Sequence, residues 1–570
     1  MLTLLLAAVF EPLWPSPEQM PLSEPGQFAA PSAAVRREGF DRAAHRMPYL
    51  EWSDPPAGRR TDACMLLISG GAYNCTCDEP TFRPLEKKLL DNGVTCVWLW
   101  YRVPRPKKGA IYATAWADGQ RAVRLVRSQA KARGFDPEKI GVLGCSAGSH
   151  LSLLLATSAL TPAYAKVDAL DETPCHVNWA VPMCPAYVLT DGLTQVNARA
   201  GRGPDVRLDS VFAFDAKTCP TCLFHGGTDP VSPLSSTRLC QRYRQLKVPV
   251  ELHLDPDRAH GPVSAAMFER ALEFMRQMGY LGPLAPEEPL LGRFASDEDR
   301  GAYETEEIWP AGKMPDVQTN QTISPRLEWH FPKKLTTKAI QIAYSGGGYT
   351  ANRTDSFEVA PLRRYLNAKG MTVVTLTYRA PRPPAASGLQ KHIPAWQDLQ
   401  RAIRIVRSKA AAKGLDPDRI GISGASAGGH LTIMGATTSL SPAYGSIDAI
   451  DKLPCSVQWG IAFYPAYVLT DAIDRRSKTG GNGDDAVLVP EFAFDLKTCP
   501  MLFLHGDADV WGAMNSVRVW EKLCRMGVQG ELHTYATRKH CLHRTASPGT
   551  GSYTCLDRIW DFMTAKGYNR

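Results

Sequence analysis

The chain contains two similar copies of one sequence, and this duplication limits the folds that it can adopt. Ser146 and His260 recur as Ser426 and His540, at a constant offset of 280 residues. This offset is several times longer than the repeats of about 20–45 residues that build solenoid proteins. At 570 residues the chain is also too long for a single hydrophobic core. The sequence therefore predicts two complete domains in tandem.

The predicted domain boundary lies in a stretch whose composition is typical of a linker. Residues 281–307 are rich in proline, glycine and acidic side chains, and they have no sustained hydrophobic period. We therefore predict a first domain over residues 1–292 and a second domain over residues 293–570.

Within each copy, short apolar runs alternate with longer segments of helical periodicity. In the first copy the predicted strands are 65–68, 94–101, 140–143, 177–183, 222–225 and 250–254. Strands that alternate with helices of this length indicate crossover connections between parallel strands. The predicted fold class is α/β in both copies, each with a mostly parallel sheet and helices on both faces.

Each copy contains Gly-x-Ser-x-Gly between a predicted strand and a predicted helix. The central residues are Ser146 and Ser426. A tight turn in this setting raises the serine hydroxyl above the edge of the sheet, and only small residues fit beside it. The context predicts a nucleophile elbow in both copies.

A serine hydroxyl becomes a good nucleophile only beside a base, and a third group must orient that base. In α/β hydrolases the order along the chain is Ser, then Asp or Glu, then His. Asp229 and His260 follow successive strands of the first copy, and Asp509 and His540 do so in the second. Both copies place the aspartate 83 residues after the serine and the histidine 31 residues after the aspartate. We predict serine nucleophiles, histidine bases and orienting aspartates, with His543 as an alternative base in the second copy.

The negative charge of a tetrahedral intermediate requires amide donors near each serine. We expect them from the residue after the serine and from a glycine-containing turn after the first long strand. The predicted oxyanion-hole residues are Gly71, Ala72, Ala147, Gly347, Gly348 and Ala427. Four further histidines are predicted to make structural or local hydrogen bonds: His150, His225, His430 and His505.

Several motifs together resemble one branch of the α/β hydrolases. They are SGGAY at 69–73, GCSAGSH at 144–150 and YRVPRP at 101–106, with their counterparts in the second copy. This set is similar to the bacterial acetyl esterases and, more narrowly, to acetyl xylan and feruloyl esterase-like members. The resemblance implies a serine carboxylesterase that removes acetyl groups from plant polysaccharide such as xylan through an acyl-enzyme. Acylated carbohydrate or another small ester would be its substrate, and feruloyl would be an alternative acyl group.

Two other functions remain open from the sequence. A peptidase of the prolyl-oligopeptidase kind shares the catalytic domain, but it normally carries a large β-propeller, and the sequence has no strand-rich segment of that length. In the non-enzymatic alternative, one copy is a vestigial glycan-binding or scaffold domain.

Composition bears on partners and location. The net charge of +8, from 65 basic and 57 acidic residues, is spread along the chain, so we predict no nucleic-acid binding.

No apolar run approaches the roughly 18 residues of a membrane span. The opening MLTLLLAAVF resembles an incomplete secretory signal or a first strand, and fifteen cysteines favour export. We predict a secreted or periplasmic protein, and the sequence leaves its oligomeric state open.

Two cysteine pairs recur at equivalent positions. Cys175 and Cys219 of the first copy match Cys455 and Cys499 of the second, and each lies just before a strand. Because adjacent strands lie about 4.8 Å apart, we predict a Cys175–Cys219 and a Cys455–Cys499 disulfide.

The sequence predicts no metal site and no cofactor. Close cysteine pairs occur at positions 75 and 77 and at positions 219 and 222. Neither pair is followed by the second half of a zinc ligand set. Acyl transfer through a serine also requires no cofactor.

Overall fold

The computed structural model of the protein describes residues 9–27, 47–76, 82–190, 207–282, 303–470, 487–542 and 554–570. The chain divides into two compact units, Met1–Pro283 and Leu284–Arg570. Residues 1–8 of the signal-like stretch, most of the predicted linker and His543 lie outside the described residues.

The strands of the first unit are β1 (Val9–Pro12), β2 (Tyr49–Ser53), β3 (Cys64–Ile68), β4 (Thr95–Trp100), β5 (Ile140–Cys145), β6 (Trp179–Met183), β7 (Leu189–Thr190), β8 (Arg207–Leu208), β9 (Thr221–Gly226) and β10 (Val250–Asp255). The main sheet has the order β1-β2-β4-β3-β5-β6-β9-β10. Strand β2 runs antiparallel to its neighbours β1 and β4, and the other neighbouring pairs are parallel.

The helices of the first unit are α1 (Arg83–Asp91), α2 (Ala113–Arg133), α3 (Ala147–Thr157), α4 (Leu234–Gln245) and α5 (Glu269–Gln277). Every residue of β3, β4, β5 and β9 is buried. Neighbouring side chains of a strand point to opposite faces, so complete burial means that both faces of the sheet are covered. This arrangement confirms the predicted α/β class.

The second unit repeats the architecture. Its strands are β11 (Tyr303–Glu307), β12 (Arg326–His330), β13 (Ile340–Tyr344), β14 (Thr372–Thr377), β15 (Ile420–Ala425), β16 (Trp459–Phe463), β17 (Met501–Gly506) and β18 (Gly530–Tyr535). Its helices are α6 (Ala360–Ala368), α7 (Ile393–Ala410), α8 (Ala427–Thr437), α9 (Met514–Arg525) and α10 (Cys555–Ala565). The strand order is β11-β12-β14-β13-β15-β16-β17-β18, with β12 antiparallel to both neighbours. Among the described helices, none combines the length and apolar character needed to cross a bilayer.

The predicted linker extends too far towards the second unit, because its last five residues form β11. This strand, YETEE, pairs with β12 but leaves four of its five residues exposed. An exposed edge strand is held mainly by main-chain hydrogen bonds, so its sequence need not alternate between apolar and polar side chains. The polar composition of β11 is therefore typical of a linker and did not predict a strand.

The two predicted disulfides are wrong, because all four cysteines are buried free thiols: Cys175, Cys219, Cys455 and Cys499. Ala180 pairs with Thr221 between β6 and β9, so Cys175 precedes this register by five residues and Cys219 by two. Neither cysteine lies within a strand, so the spacing of adjacent strands does not set the distance between them. The Cys175 thiol instead donates to the carbonyl oxygen of Ala159 at 3.3 Å. The same offset recurs in the second unit.

A buried ion pair fixes the segment after β4. Arg102 Nε lies 3.0 Å from Asp118 Oδ2, and Nη2 lies 2.9 Å from Oδ1. The indole nitrogen of Trp14 donates to the same carboxylate at 2.8 Å. Arg379 and Asp398 repeat the pair in the second unit. These arginines of the two YRxPRP segments are structural anchors.

Replacing Asp118 by alanine is expected to destabilise the first unit by about 3–5 kcal/mol, because a buried guanidinium loses its partner. Urea unfolding of the full chain measures the loss. The exposed pair Lys87–Asp91 supplies a control, since its side chains are 74% and 40% exposed. Asp91→Ala should cost less than about 1 kcal/mol. Equal losses in the two variants would contradict the assignment.

Candidate active site

Ser146 and Ser426 lie in the turns between β5 and α3 and between β15 and α8. Their φ and ψ angles are 56° and −118° for Ser146 and 56° and −117° for Ser426. A residue with a Cβ pays about 1–3 kcal/mol for such a conformation, which is common at functional sites. Both serines therefore have the backbone geometry of a nucleophile elbow.

The flanking glycines are required by close contacts within the elbow. A Cβ on Gly144 would lie 2.3 Å from the carbonyl oxygen of Gly148, and a Cβ on Gly148 would lie 2.2 Å from that of Ile68. Neither site has room for a side chain. The Gly-x-Ser-x-Gly pattern thus follows from the close approach of α3 to strands β3 and β5.

In the first unit, His260 bridges Ser146 and Asp229. His260 Nε2 lies 2.8 Å from Ser146 Oγ, and Nδ1 lies 2.9 Å from each carboxylate oxygen of Asp229. Asp229 is fully buried, whereas the His260 side chain is 32% exposed. The structure therefore brings together the three residues that the sequence predicted, and the histidine is partly exposed to solvent.

The second unit contains the same arrangement. His540 Nε2 lies 2.8 Å from Ser426 Oγ, and Nδ1 lies 2.7 Å from Asp509 Oδ2. Asp509 is buried, and the His540 side chain is 23% exposed. Each unit thus holds a complete Ser-His-Asp chain of hydrogen bonds.

Sequence reasoning missed the contact of His225 and His505 with the two aspartates. His225 Nε2 lies 3.4 Å from Asp229 Oδ2, and His505 Nε2 lies 3.2 Å from Asp509 Oδ2. Each Nδ1 contacts a serine hydroxyl on the following helix, at 2.9 and 2.8 Å. The signal in the sequence was the His-x-x-x-Asp spacing in both copies. Each aspartate thus has a second histidine beside it.

Hydrogen bonding sets the charge state of the site. Burial raises the pKa of Asp229, but hydrogen bonds from His225 and His260 outweigh burial and lower it to about 2. The pKa of Asp509 is lowered by the equivalent pair of histidines, again against burial. Burial lowers the pKa of His260, and its hydrogen bond with Asp229 contributes to a net rise. Both carboxylates are therefore ionised at neutral pH, and that of Asp229 stabilises the protonated imidazole of His260.

The predicted oxyanion turns pass beside the serines. A Cβ on Gly70 would lie 3.0 Å from Ser146 Cβ. The four predicted residues of these turns have positive φ angles: Gly71, Ala72, Gly347 and Gly348. At φ 53°, Ala72 pays about 1–2 kcal/mol that a glycine avoids. Ala147 and Ala427 begin the helices that follow the serines. Ala147 and Ala427 therefore adjoin the two nucleophiles, and the turn of the first unit approaches Ser146 at Gly70.

The two sites differ beside the histidine. In the first unit, Cys184 Sγ lies 3.4 Å from Cys145 Sγ and within 4.8 Å of the His260 imidazole. In the second unit the ring of Tyr464 packs edge-on against His540, with 4.8 Å between centroids. The two sites therefore present different surfaces around the same catalytic geometry.

One buried histidine supports the helix after each serine. His150 Nδ1 lies 2.8 Å from the Tyr73 hydroxyl, and His430 Nδ1 lies 2.9 Å from the Tyr349 hydroxyl. Burial lowers the pKa of His150 to about 3, and that of His430 is lowered as well. Both imidazoles are therefore neutral, as expected for structural histidines.

Comparison with protein families assigns the chain. A model of the BD-FAE family matches residues 51–185 and 327–480, one segment in each unit. These segments make up just over half of the chain. The chain belongs to the BD-FAE family. Because the BD-FAE match occurs twice, it agrees with the internal duplication.

Curated relatives of this BD-FAE protein include esterases. Esterase LipQ of Mycobacterium tuberculosis is 31% identical over 139 residues, which are 24% of this chain and 31% of LipQ. Acetylxylan esterase of Xylanibacter ruminicola is 31% identical over 149 residues, which are 25% of this chain and 26% of that protein. The chain thus spans less than a third of the length of these relatives.

One similar solved structure is the acetyl ester-xyloside bifunctional hydrolase from Caldicellulosiruptor lactoaceticus. The match covers 48% of this chain and 97% of that chain, with 23% sequence identity and a TM-score of 0.36.

Proposed function

We propose that the protein is a serine carboxylesterase with one active site in each unit. The observation that carries this proposal is the Ser-His-Asp chain of hydrogen bonds, with the Ser–His distance at 2.8 Å in both units. Intact geometry in both copies argues against a vestigial first or second domain. It supports two working sites.

In the proposed reaction, His260 Nε2 accepts the hydroxyl proton of Ser146 while Oγ forms a bond to the ester carbonyl carbon. The carbonyl oxygen becomes an oxyanion, which the amides of the glycine turn and of Ala147 stabilise. The imidazolium, held by Asp229, then donates its proton to the departing alcohol oxygen, leaving an acyl-enzyme. Water attacks this ester with His260 again as base, so the acid is released and Ser146 regains its proton.

We further propose that the acyl group is acetyl and that the alcohol is a hydroxyl of a plant polysaccharide such as xylan. This part rests on the SGGAY, GCSAGSH and YRVPRP motifs and on the likeness to an acetylxylan esterase. The two sites act without a cofactor, because an alkoxide nucleophile and an oxyanion hole suffice for acyl transfer. Feruloyl transfer is the alternative within the same chemistry.

A hydrolysis screen tests the substrate. We expect acetate release from acetylated xylan to exceed ferulate release from feruloylated arabinoxylan at least about tenfold in kcat/KM, since misfitting acyl groups lose transition-state contacts. The Ser146→Ala and Ser426→Ala variants, assayed separately, assign each release to one site. Ferulate as the preferred product would contradict the acetyl assignment, and inactivity of the folded protein on all esters would contradict the esterase.

A further inference from the structure

Three potential metal ligands converge in the second unit. His392, His430 and Glu491 present nitrogen and oxygen atoms that all lie within 4.8 Å of one another. Glu491 Oε1 lies 3.2 Å from His430 Nε2 and 3.9 Å from His392 Nδ1. Zinc bonds of about 2.0–2.2 Å in a tetrahedron place ligand atoms about 3.3–3.5 Å apart. Shifts of about 1 Å would therefore close this cluster around an ion.

The cluster combines a buried interior with access from solvent. His430 is fully buried and His392 is 2% exposed. The Glu491 side chain is 20% exposed, so one side of the cluster can admit an ion and a water ligand. The neighbouring cation, Lys391, has an aromatic partner. Its Nζ lies over the ring of Tyr467, 3.3 Å from the ring centroid.

The donor atoms also suit a cation. The cluster offers two imidazole nitrogens and one carboxylate oxygen, which is a ligand set that zinc accepts when water fills the fourth position.

A supporting contact for one ligand is already present. The Tyr349 hydroxyl lies 2.9 Å from His430 Nδ1. Metal-bound histidines almost always use their second nitrogen to donate to an oxygen, and this bond fixes the ring and the tautomer. An ion on His430 Nε2 would leave the proton on Nδ1, where the Tyr349 oxygen accepts it.

The first unit provides a natural comparison. Tyr112 and Val211 occupy the positions equivalent to His392 and Glu491. They surround His150, which is the equivalent of His430. The Tyr112 and His150 rings lie 5.0 Å apart, against 5.3 Å for His392 and His430. The two copies therefore differ at two positions that lie 99 residues apart in the second copy. Both differences place a potential ligand beside the buried His430.

We propose that His392, His430 and Glu491 form a zinc-binding site with water as the fourth ligand. The ion would join the start of α7, helix α8 and the segment before β17. His430 lies on α8, the helix that follows Ser426, so the ion would tie this helix to the other two segments. The cysteine spacings gave no sign of it, because its ligands come from distant segments.

Zinc binding by the metal-stripped full chain tests the proposal. We expect a zinc ion bound per chain at this site, measured by dialysis and elemental analysis, and its loss in the double variant His392→Tyr/Glu491→Val. The same fold carries tyrosine and valine at the equivalent positions of the first unit, so this variant should remain folded. Tyr349→Phe should weaken zinc binding about 10- to 100-fold.

A reciprocal variant completes the test. Tyr112→His/Val211→Glu should raise the stoichiometry by one zinc per chain, with an unchanged circular dichroism spectrum. If the wild-type chain binds no zinc, or if His392→Tyr/Glu491→Val binds as much as the wild type, the proposal is overturned. In the second case the zinc would belong to another cluster, such as Cys222, Glu251 and His253.

Discussion

The Ser146→Ala/Ser426→Ala double variant is expected to lose ester hydrolysis by about 10⁴- to 10⁶-fold in kcat. In the proposed mechanism each serine supplies the covalent attack at its site, and removal of a triad nucleophile leaves the small residual catalysis of the oxyanion hole and of substrate binding. Initial rates with a short-chain p-nitrophenyl ester measure the loss. Full activity in the double variant would remove both serines from the mechanism.

Covalent labelling counts the two nucleophiles independently of turnover. A fluorophosphonate reacts with a serine that a neighbouring base activates. We expect intact mass to show two adducts on the wild-type chain, one on each single variant and none on the double variant. Ser128→Ala supplies the control, because this hydroxyl lies on α2 and donates to the carbonyl oxygen of Leu125. It should keep both adducts.

The triads could be predicted from sequence because parallel strands end at one edge of their sheet. Asp229 follows β9 and His260 follows β10, which pair in parallel, so their spacing along the chain translates into proximity. The buried strands were predicted for a related reason, since strands covered on both faces read as continuous apolar runs.

Other features depend on side-chain contacts that sequence patterns do not encode. Strand β11 escaped notice because it is exposed and polar. The disulfide prediction used strand adjacency, but Cys175 and Cys219 lie before their strands, where the spacing of paired strands does not apply. The cluster around His430 joins the residue before α7, a residue of α8 and a loop residue, so no local spacing indicates it. The internal repeat supported the predictions at positions where the two copies agree. It drew attention away from positions where they differ.

Replacing Asp229 by asparagine is expected to lower kcat at the first site by about 10⁴-fold, because asparagine favours the wrong tautomer of His260. The Ser426→Ala background isolates this site. The pH dependence should change as well. The base works only when unprotonated, so activity rises as the pH increases through the His260 pKa. Since the Asp229 carboxylate raises that pKa, its removal should move the acid limb of kcat/KM to lower pH.

Asp62→Asn is the matched control, because Asp62 is an exposed aspartate of the same unit that pairs with Lys139 at 2.8 Å. It should leave both kcat and the acid limb unchanged. A purely structural role for Asp229 would lower the amount of folded enzyme without moving the pH profile of the remainder. A shifted acid limb therefore separates electrostatic support of the imidazole from simple loss of stability, and an unshifted limb would show that Asp229 does not set the pKa of His260.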